Sequence, residues 1–237
     1  MILIISAPVS LAGFDSEKTL VVYFSRVGNT DFSDDIDAVS SASLRRKDGV
    51  LMGSCEVLAD KISQITGADI FTINVSETYP ESYDETVSCA SREQSENASP
   101  ELTSHIDNME SYDNIILIYP VWWSTMPMPV FSFLEEYNFS DKNIYPIATH
   151  KGSFLGQSVS DIKEICPTAE VHTGIALSGG SVDFIGIIPF IMIVGWALTI
   201  SGVMLEKRLS SKSAKVTDVM TIVGLVANVL CVIRILI

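Results

Sequence analysis

Residues 114–129 read NIILIYPVWWSTMPMP and carry the clearest fold signal in the chain. The first six residues, 114–119, are an almost continuous run of Ile and Leu, which is typical of a strand buried on both faces of a parallel sheet. A turn rich in Pro and Trp follows. A helix is expected over 130–137, after Pro129, because Pro is favoured in the first turn of a helix. The segment therefore predicts a strand, a loop and a helix in that order.

Similar β-branched runs alternate with helical patterns on both sides of this segment. Such alternation indicates βαβ units around a parallel sheet, and hence an α/β fold. The predicted strand order is 2-1-3-4-5, a doubly wound five-stranded sheet. The other predicted strands are 19–25, 69–75, 143–149 and 170–177, and the other predicted helices are 54–66, 83–96 and 157–165.

Three loops suited to a ligand follow the predicted strands 19–25, 114–119 and 143–149. Because the carboxyl ends of parallel strands meet at one edge, we expect these loops to form one crevice. The small residues of SRVGNT (25–30) would surround a phosphate, although they also fit an ordinary turn. A flat aromatic ring would lie between the other two loops. The candidate residues are Ser25, Arg26, Gly28, Asn29 and Thr30 in the first loop, Pro120, Val121, Trp122 and Trp123 in the second, and Thr149, His150, Lys151, Gly152, Ser153 and Gly156 in the third.

These segments together resemble the flavodoxin family, in particular a flavodoxin-like branch with a Tyr-Pro-x-Trp-Trp loop. The stretches that match its pattern are VVYFSRVGNT, IYPVWWSTMPMPVFSFLEEYNFSDKNIYPIATHKGS and SVSDIKEICP. The resemblance covers about residues 19–179 and implies a flavodoxin-like domain over 19–180 that binds flavin mononucleotide (FMN). It places the phosphate at the first loop and the isoalloxazine ring between the second and third loops.

Two features depart from the family pattern. In flavodoxins the Gly-Asn-Thr turn leads directly into the first helix, whereas here an insertion at 31–52 intervenes. We therefore expect a split phosphate loop, completed by Gly53, Ser54 and Cys55 at the start of the helix. The insertion is either a lid over the ligand or a decoration without ligand contact. The second departure is the pair His150 and Lys151, because a cation beside the ring would stabilise reduced, anionic flavin.

The last quarter of the chain has a different composition. Residues 184–205 contain no charge and, as a helix, would span roughly 33 Å, which matches a bilayer core. Residues 219–237 contain one charge, Arg234. Two transmembrane helices are predicted here, the alternative being two buried core helices. The connecting loop 206–218 carries four Lys and Arg residues, which favours a cytoplasmic loop and an extracytoplasmic domain.

The N-terminal segment 1–18 begins with an apolar stretch, which fits a truncated signal peptide, an apolar tail or an extra edge strand. Residues 1–183 contain 27 acidic and 10 basic side chains, and this acidity argues against nucleic acid as a partner. The four cysteines indicate no disulfide framework, and the three histidines lack the spacing of metal ligands. No metal site is expected.

The leading functional hypothesis is a membrane-anchored FMN protein that transfers electrons, for which no catalytic side chain is required. Its expected partners are the lipid bilayer and either a redox protein or a membrane-soluble electron acceptor. One alternative is an FMN-dependent reductase of quinones or similar small acceptors. Another is a flavin-free adapter that retains the fold.

Overall fold

The computed structural model describes residues 16–33, 43–47, 49–179 and 182. The chain divides into two units, residues 1–180 and 181–237, and the fold described below is that of the first. Most of the predicted N-terminal segment and both predicted membrane spans lie outside the described residues. Within the described ranges, no helix has both the length and the apolar character needed to cross a bilayer.

Strands and helices alternate through the described part of the chain, as the sequence pattern predicts. The strands are β1 Thr19–Phe24, β2 Leu44–Lys47, β3 Val50–Gly53, β4 Asp69–Ile73, β5 Asn114–Pro120, β6 Asn143–His150, β7 Glu170–Val171 and β8 Ile175–Ser178. The helices are α1 Ser54–Thr66, α2 Tyr83–Glu96, α3 Met128–Glu136 and α4 Ser158–Ile165.

The main sheet has the order β4-β1-β5-β6-β7, with β8 also paired to β6, and every one of these pairings is parallel. This arrangement confirms the predicted order 2-1-3-4-5. In β5 the residues after Asn114 are all buried, as expected for a central strand with both faces covered. The carboxyl ends of β1, β5 and β6 consequently lie side by side at one edge of the sheet.

The prediction of one continuous fifth strand over 170–177 is wrong at its centre. β7 pairs with Asn143 and Ile144 of β6, and β8 resumes the pairing only at Ile147. His172 N donates to Ile144 O. In a parallel pair every second residue of a strand bonds to the same neighbour, so every second residue of β6 counted from Ile144 should bond to this fifth strand. Pro146 is the next residue in that alternation and has no N–H to donate, which explains the interruption.

Part of the insertion at 31–52 forms regular structure. β2 and β3 make an antiparallel hairpin in which Leu44 pairs with Gly53. β3 continues without a connecting loop into α1. Ser54 N donates to Ser43 O over 3.0 Å, so the base of the hairpin is fixed to the first turn of α1. The insertion therefore returns the chain to the helix start in a defined geometry.

Asn29 joins the loop after β1 to the end of β4. Its side chain is fully buried, and Nδ2 donates to Ser25 O over 2.8 Å and to Ile73 O over 2.9 Å. Oδ1 accepts a hydrogen bond of 2.8 Å from Val75 N. Since buried backbone groups must be paired, this one amide satisfies three of them at the edge of the sheet.

Replacement of Asn29 by Ala should destabilise the domain, because three buried backbone groups would lose their partner. We expect a cost of about 3 kcal/mol, and a fall of roughly 10 °C in the midpoint of thermal unfolding, followed by far-UV circular dichroism of the full-length chain in detergent. Asn138→Ala is the matched control, since Asn138 is exposed and accepts from Ser140 N. Equal midpoints for both variants would contradict this role of Asn29.

Candidate functional site

The predicted second and third loops meet at the carboxyl edge of the sheet. Val121 N donates to Thr149 O over 2.8 Å, and Gln157 N donates to Ser124 O over 2.7 Å. A Cβ atom on Gly156 would lie 2.0 Å from Ser124 O, so the close approach of the two loops requires glycine there. The loops after β5 and β6 thus form one continuous wall.

The first loop meets the start of α1, although an insertion separates them in sequence. A Cβ atom on Gly53 would lie 1.9 Å from Ser25 Oγ and 3.0 Å from Ser25 Cβ. Ser25 itself is buried, and its Oγ accepts from Val27 N. The structure therefore brings together Ser25, Gly53 and Ser54, three of the residues assigned to the split loop. A helix N-terminus beside a strand end is a favourable place for an anion.

The first turn of α1 also carries a carboxylate. Gly53 N donates to Glu56 Oε2 over 3.0 Å, so this side chain satisfies the N–H of the residue that precedes the helix. The N–H groups of the first helical turn lack partners inside the helix by geometry alone. Because Gly53 N donates to Glu56 Oε2 and Ser54 N to Ser43 O, the N–H groups that this turn would offer to a ligand are those of Cys55 and Glu56.

Arg26 points away from this region. Its Nη2 donates to Pro80 O over 2.8 Å and to Glu81 O over 3.0 Å, and the guanidinium carbon lies 5.0 Å from the centre of the Phe32 ring. Burial lowers the pKa of Arg26, with Glu81 opposing that effect. The side chain joins the loop before α2 to the beginning of the insertion.

Two buried donors of the first loop remain unsatisfied within the described part of the chain. They are Arg26 Nε and Thr30 Oγ1. Asn29 is committed to backbone groups, and Gly28 has a φ of 91°, a left-handed conformation that favours glycine. Orphaned buried donors are uncommon and call for a partner. An oxyanion bound by the first loop would supply an acceptor for Thr30 Oγ1.

The two tryptophans of the second loop diverge. Trp122 and Thr125 exchange both backbone hydrogen bonds, and Trp123 and Ser124 between them have φ values of 46° and 68°, which is the pattern of a type I′ turn. Trp122 packs edge-on against Phe24, with ring centres 5.5 Å apart. Trp123 is 51 % exposed and donates from Nε1 to Val87 O of α2. One indole therefore joins the core and the other lies on the rim.

Cys55 faces the interior of the domain. Its Sγ lies 3.2 Å from Thr149 Oγ1, and both side chains are buried. Burial raises the pKa of Cys55 to about 12, against a weaker opposing effect of the contact with Thr149. The side chain is consequently a neutral thiol at physiological pH, and it ties the start of α1 to the end of β6.

His150 is buried and fixed within the third loop. Gly152 N donates to His150 Nδ1 over 2.9 Å, which places the ring proton of a neutral imidazole on Nε2. Burial lowers the pKa of His150, so the ring is neutral at pH 7. Phe154 packs against it with ring centres 4.8 Å apart. Lys151 is therefore the charged member of the pair His150 and Lys151. Lys151, Gly152 and Ser153 are all exposed.

Several contacts of the site involve residues that sequence patterns did not identify. Trp122 Nε1 donates to Ser43 Oγ over 3.1 Å, and Tyr79 packs edge-on to Trp122 with ring centres 5.2 Å apart. Ser43 belongs to the insertion, where no family pattern applies. Among the described residues, no group of three or more His, Cys, Asp or Glu side chains is arranged to hold a metal ion.

Comparison with known proteins gives a consistent result. The family model described as Flavodoxin matches residues 50–184, which is more than half of the chain. The match begins at β3 and leaves β1 outside. No curated protein matches the sequence.

Solved structures share the fold at low identity. A protein from Bacteroides eggerthii DSM 20697, described provisionally as a flavoprotein, is 24 % identical with a TM-score of 0.53, and the match covers 68 % of this chain and 87 % of that one. A second from Bacteroides uniformis ATCC 8492, described likewise, is 22 % identical with a TM-score of 0.53 and coverage of 69 % and 91 %. A flavoprotein in complex with FMN from Lactobacillus acidophilus NCFM is 23 % identical with a TM-score of 0.50 and coverage of 70 % and 97 %.

Replacement of Gly53 by Ala should disturb the junction between β1 and α1. The added Cβ would overlap Ser25 Oγ, so the strand end or the helix must move, at a cost of about 2 kcal/mol or more. Thermal unfolding of the full-length chain measures the effect, and the midpoint should fall by roughly 5 °C. The double variant with Ser25→Gly removes both overlapping atoms and should regain most of the loss. A double variant no more stable than Gly53→Ala would show that the overlap is not the cause.

Proposed function

This chain belongs to the flavodoxin family, and from that membership we propose that its domain binds FMN and transfers electrons. A structural neighbour described as a flavoprotein in complex with FMN supports the choice of cofactor. The observation that carries the proposal is the contact between Ser25 and Gly53. This contact places the end of β1 beside the N-terminus of α1, although an insertion separates them in sequence. A strand end beside a helix N-terminus is a favourable place for a phosphate.

The phosphate end of the crevice fits this cofactor. The hydroxyl of Ser25 and the N–H groups of Cys55 and Glu56 would hold the phosphate oxygens, because Gly53 N and Ser54 N already donate to Glu56 Oε2 and Ser43 O. Thr30 Oγ1 is a buried donor that needs an acceptor, whereas the guanidinium of Arg26 is directed to Pro80 O and Glu81 O. Cys55 would contribute its backbone rather than its side chain, because the thiol faces Thr149.

The other two loops would hold the flavin ring. The contact between Gly156 and Ser124 closes the wall that they form, and Trp122 presents a half-buried indole there. When bound, FMN supplies the electron-transfer chemistry, and the side chains of this chain set its position and environment. Since His150 is neutral, the cationic influence on the ring from this loop would come from Lys151.

Purified full-length chain in detergent should show the visible absorption of bound flavin, or acquire it on addition of FMN. Trp122→Ala should lower the affinity for FMN about fivefold, because an aromatic contact is worth about 1 kcal/mol. Trp123→Ala should also weaken binding, whereas Trp196→Ala, in a predicted span, is the matched control and should have no effect. Quenching of flavin fluorescence measures all three. A colourless protein that FMN cannot reconstitute would refute the proposal and favour a flavin-free adapter.

We further propose that two helices, 184–205 and 219–237, anchor the domain to a lipid bilayer. The support is compositional, since 184–205 is uncharged and 219–237 carries one charge. The basic loop 206–218 favours a cytoplasmic location for itself and an extracytoplasmic one for the domain. A domain held near the bilayer would exchange electrons with a membrane-soluble acceptor or with another redox protein.

Labelling of single cysteines tests this arrangement. In a variant without the four native cysteines, Ser211→Cys should resist a membrane-impermeant maleimide in intact cells and react after permeabilisation. Ser95→Cys, at an exposed position of α2, is the matched control and should react in intact cells. The reverse pattern would place the domain inside, and release of the chain from membranes by alkaline carbonate would contradict the anchor.

A further inference from the structure

A small aromatic cluster lies behind the second loop. Phe24, Tyr79 and Trp122 pack edge-on in pairs, with ring centres between 5.2 and 6.0 Å apart and interplanar angles of 79° to 88°. Edge-to-face pairs of this kind are favoured by the charge distribution of aromatic rings. The orientation of Trp122 is therefore set by two neighbouring rings together with its hydrogen bond to Ser43.

Tyr79 is the member of this cluster that reaches both ends of the crevice. Its ring packs on Trp122, and its backbone N donates to Asn29 O over 2.8 Å, in the first loop. The residue is 4 % exposed, so its hydroxyl needs a protein partner. That partner is Glu93 of α2, whose Oε2 accepts from Tyr79 OH over 2.8 Å.

Glu93 is itself held in place on α2. It is half-buried, and Cys89 Sγ lies 3.8 Å from Oε1, with Arg92 Nη2 3.7 Å from the same sulfur. Burial raises the pKa of Glu93, and the hydrogen bond from Tyr79 opposes that rise. A carboxylate acceptor gives a stronger hydrogen bond than a neutral one, so the tyrosine ring has little freedom to turn.

We propose that Glu93 and Tyr79 are positioning residues that fix the orientation of Trp122 and link it to the first loop at Asn29. Neither residue belongs to the three loops, and Glu93 acts through Tyr79 alone. The expected effect of these two residues on flavin binding rests on the proposed function. Its structural part concerns the tryptophan and does not depend on any cofactor.

Tyr79→Phe and Glu93→Ala test the proposal in the full-length chain in detergent. Tyr79→Phe retains the ring and the backbone N–H but loses the hydroxyl, so the ring end of the crevice should be disturbed and the phosphate end retained. The affinity for FMN and for riboflavin, which lacks the phosphate, should fall by the same factor, about threefold. Thr30→Val, at the phosphate end, should instead weaken FMN and leave riboflavin unchanged.

Matched variants separate positioning from general damage. Glu93→Gln keeps an acceptor oxygen and should lie between wild type and Glu93→Ala. Tyr83→Phe makes the same change at a tyrosine on α2 that is 65 % exposed, and it should alter neither affinity. The tryptophan bands of the near-ultraviolet circular dichroism spectrum, recorded without flavin, should change in Tyr79→Phe and Glu93→Ala and not in Tyr83→Phe.

The two proposals fail in distinguishable ways. If the wild-type chain binds flavin, and Tyr79→Phe and Glu93→Ala retain both its riboflavin affinity and its tryptophan bands, the positioning role is overturned. If the wild-type chain binds no flavin, the proposed function is overturned. The tryptophan bands alone then decide whether Glu93 and Tyr79 fix the orientation of Trp122.

Discussion

The contact between Gly53 and Ser25 is the constraint on which the rest of the crevice depends. An ordinary βα unit joins a strand to its helix by a short loop, whereas this chain leaves β1 and returns at α1 only after a long insertion. The helix must nevertheless start close to the end of β1, because only then can one ligand contact both the first loop and the N–H groups at the start of α1. Glycine permits that approach, because any side chain at position 53 would occupy the volume of Ser25 Oγ. The hairpin and the hydrogen bond from Ser54 to Ser43 hold the returning chain in place.

Much of the fold could be predicted from the sequence because the relevant signals are local. The Ile- and Leu-rich run at β5 and the periodic pattern of α1 each specify one element with little dependence on distant residues. The fifth strand shows where local reasoning fails. Its own residues favour a continuous strand, but Pro146 on the neighbouring strand removes a donor. Pairing is a property of two strands, so a pattern read along one of them could not reveal the interruption.

The site was less predictable, because residue types do not specify the direction of side chains. Trp122 and Trp123 are adjacent in the sequence, yet a turn with two positive φ values sends one indole into an aromatic cluster and the other to α2. Arg26 is a second example. Its guanidinium donates to the carbonyl oxygens of Pro80 and Glu81 and is not directed to the crevice. Ser43 carried no signal at all, because its role depends on where the insertion returns.

Backbone strain is concentrated in the two loops that would enclose the ring. Trp123, Ser124 and Phe154 have φ values of 46°, 68° and 53°, and none of them is glycine. Such conformations cost of order 1 kcal/mol each and persist where surrounding contacts hold them. Here Trp123 Nε1 donates a hydrogen bond to Val87 O of α2, and Gln157 N donates to Ser124 O. A crevice whose walls are fixed by their own packing gives up little conformational freedom when a ligand enters, so the strain of these loops is offset by a smaller entropic cost of binding.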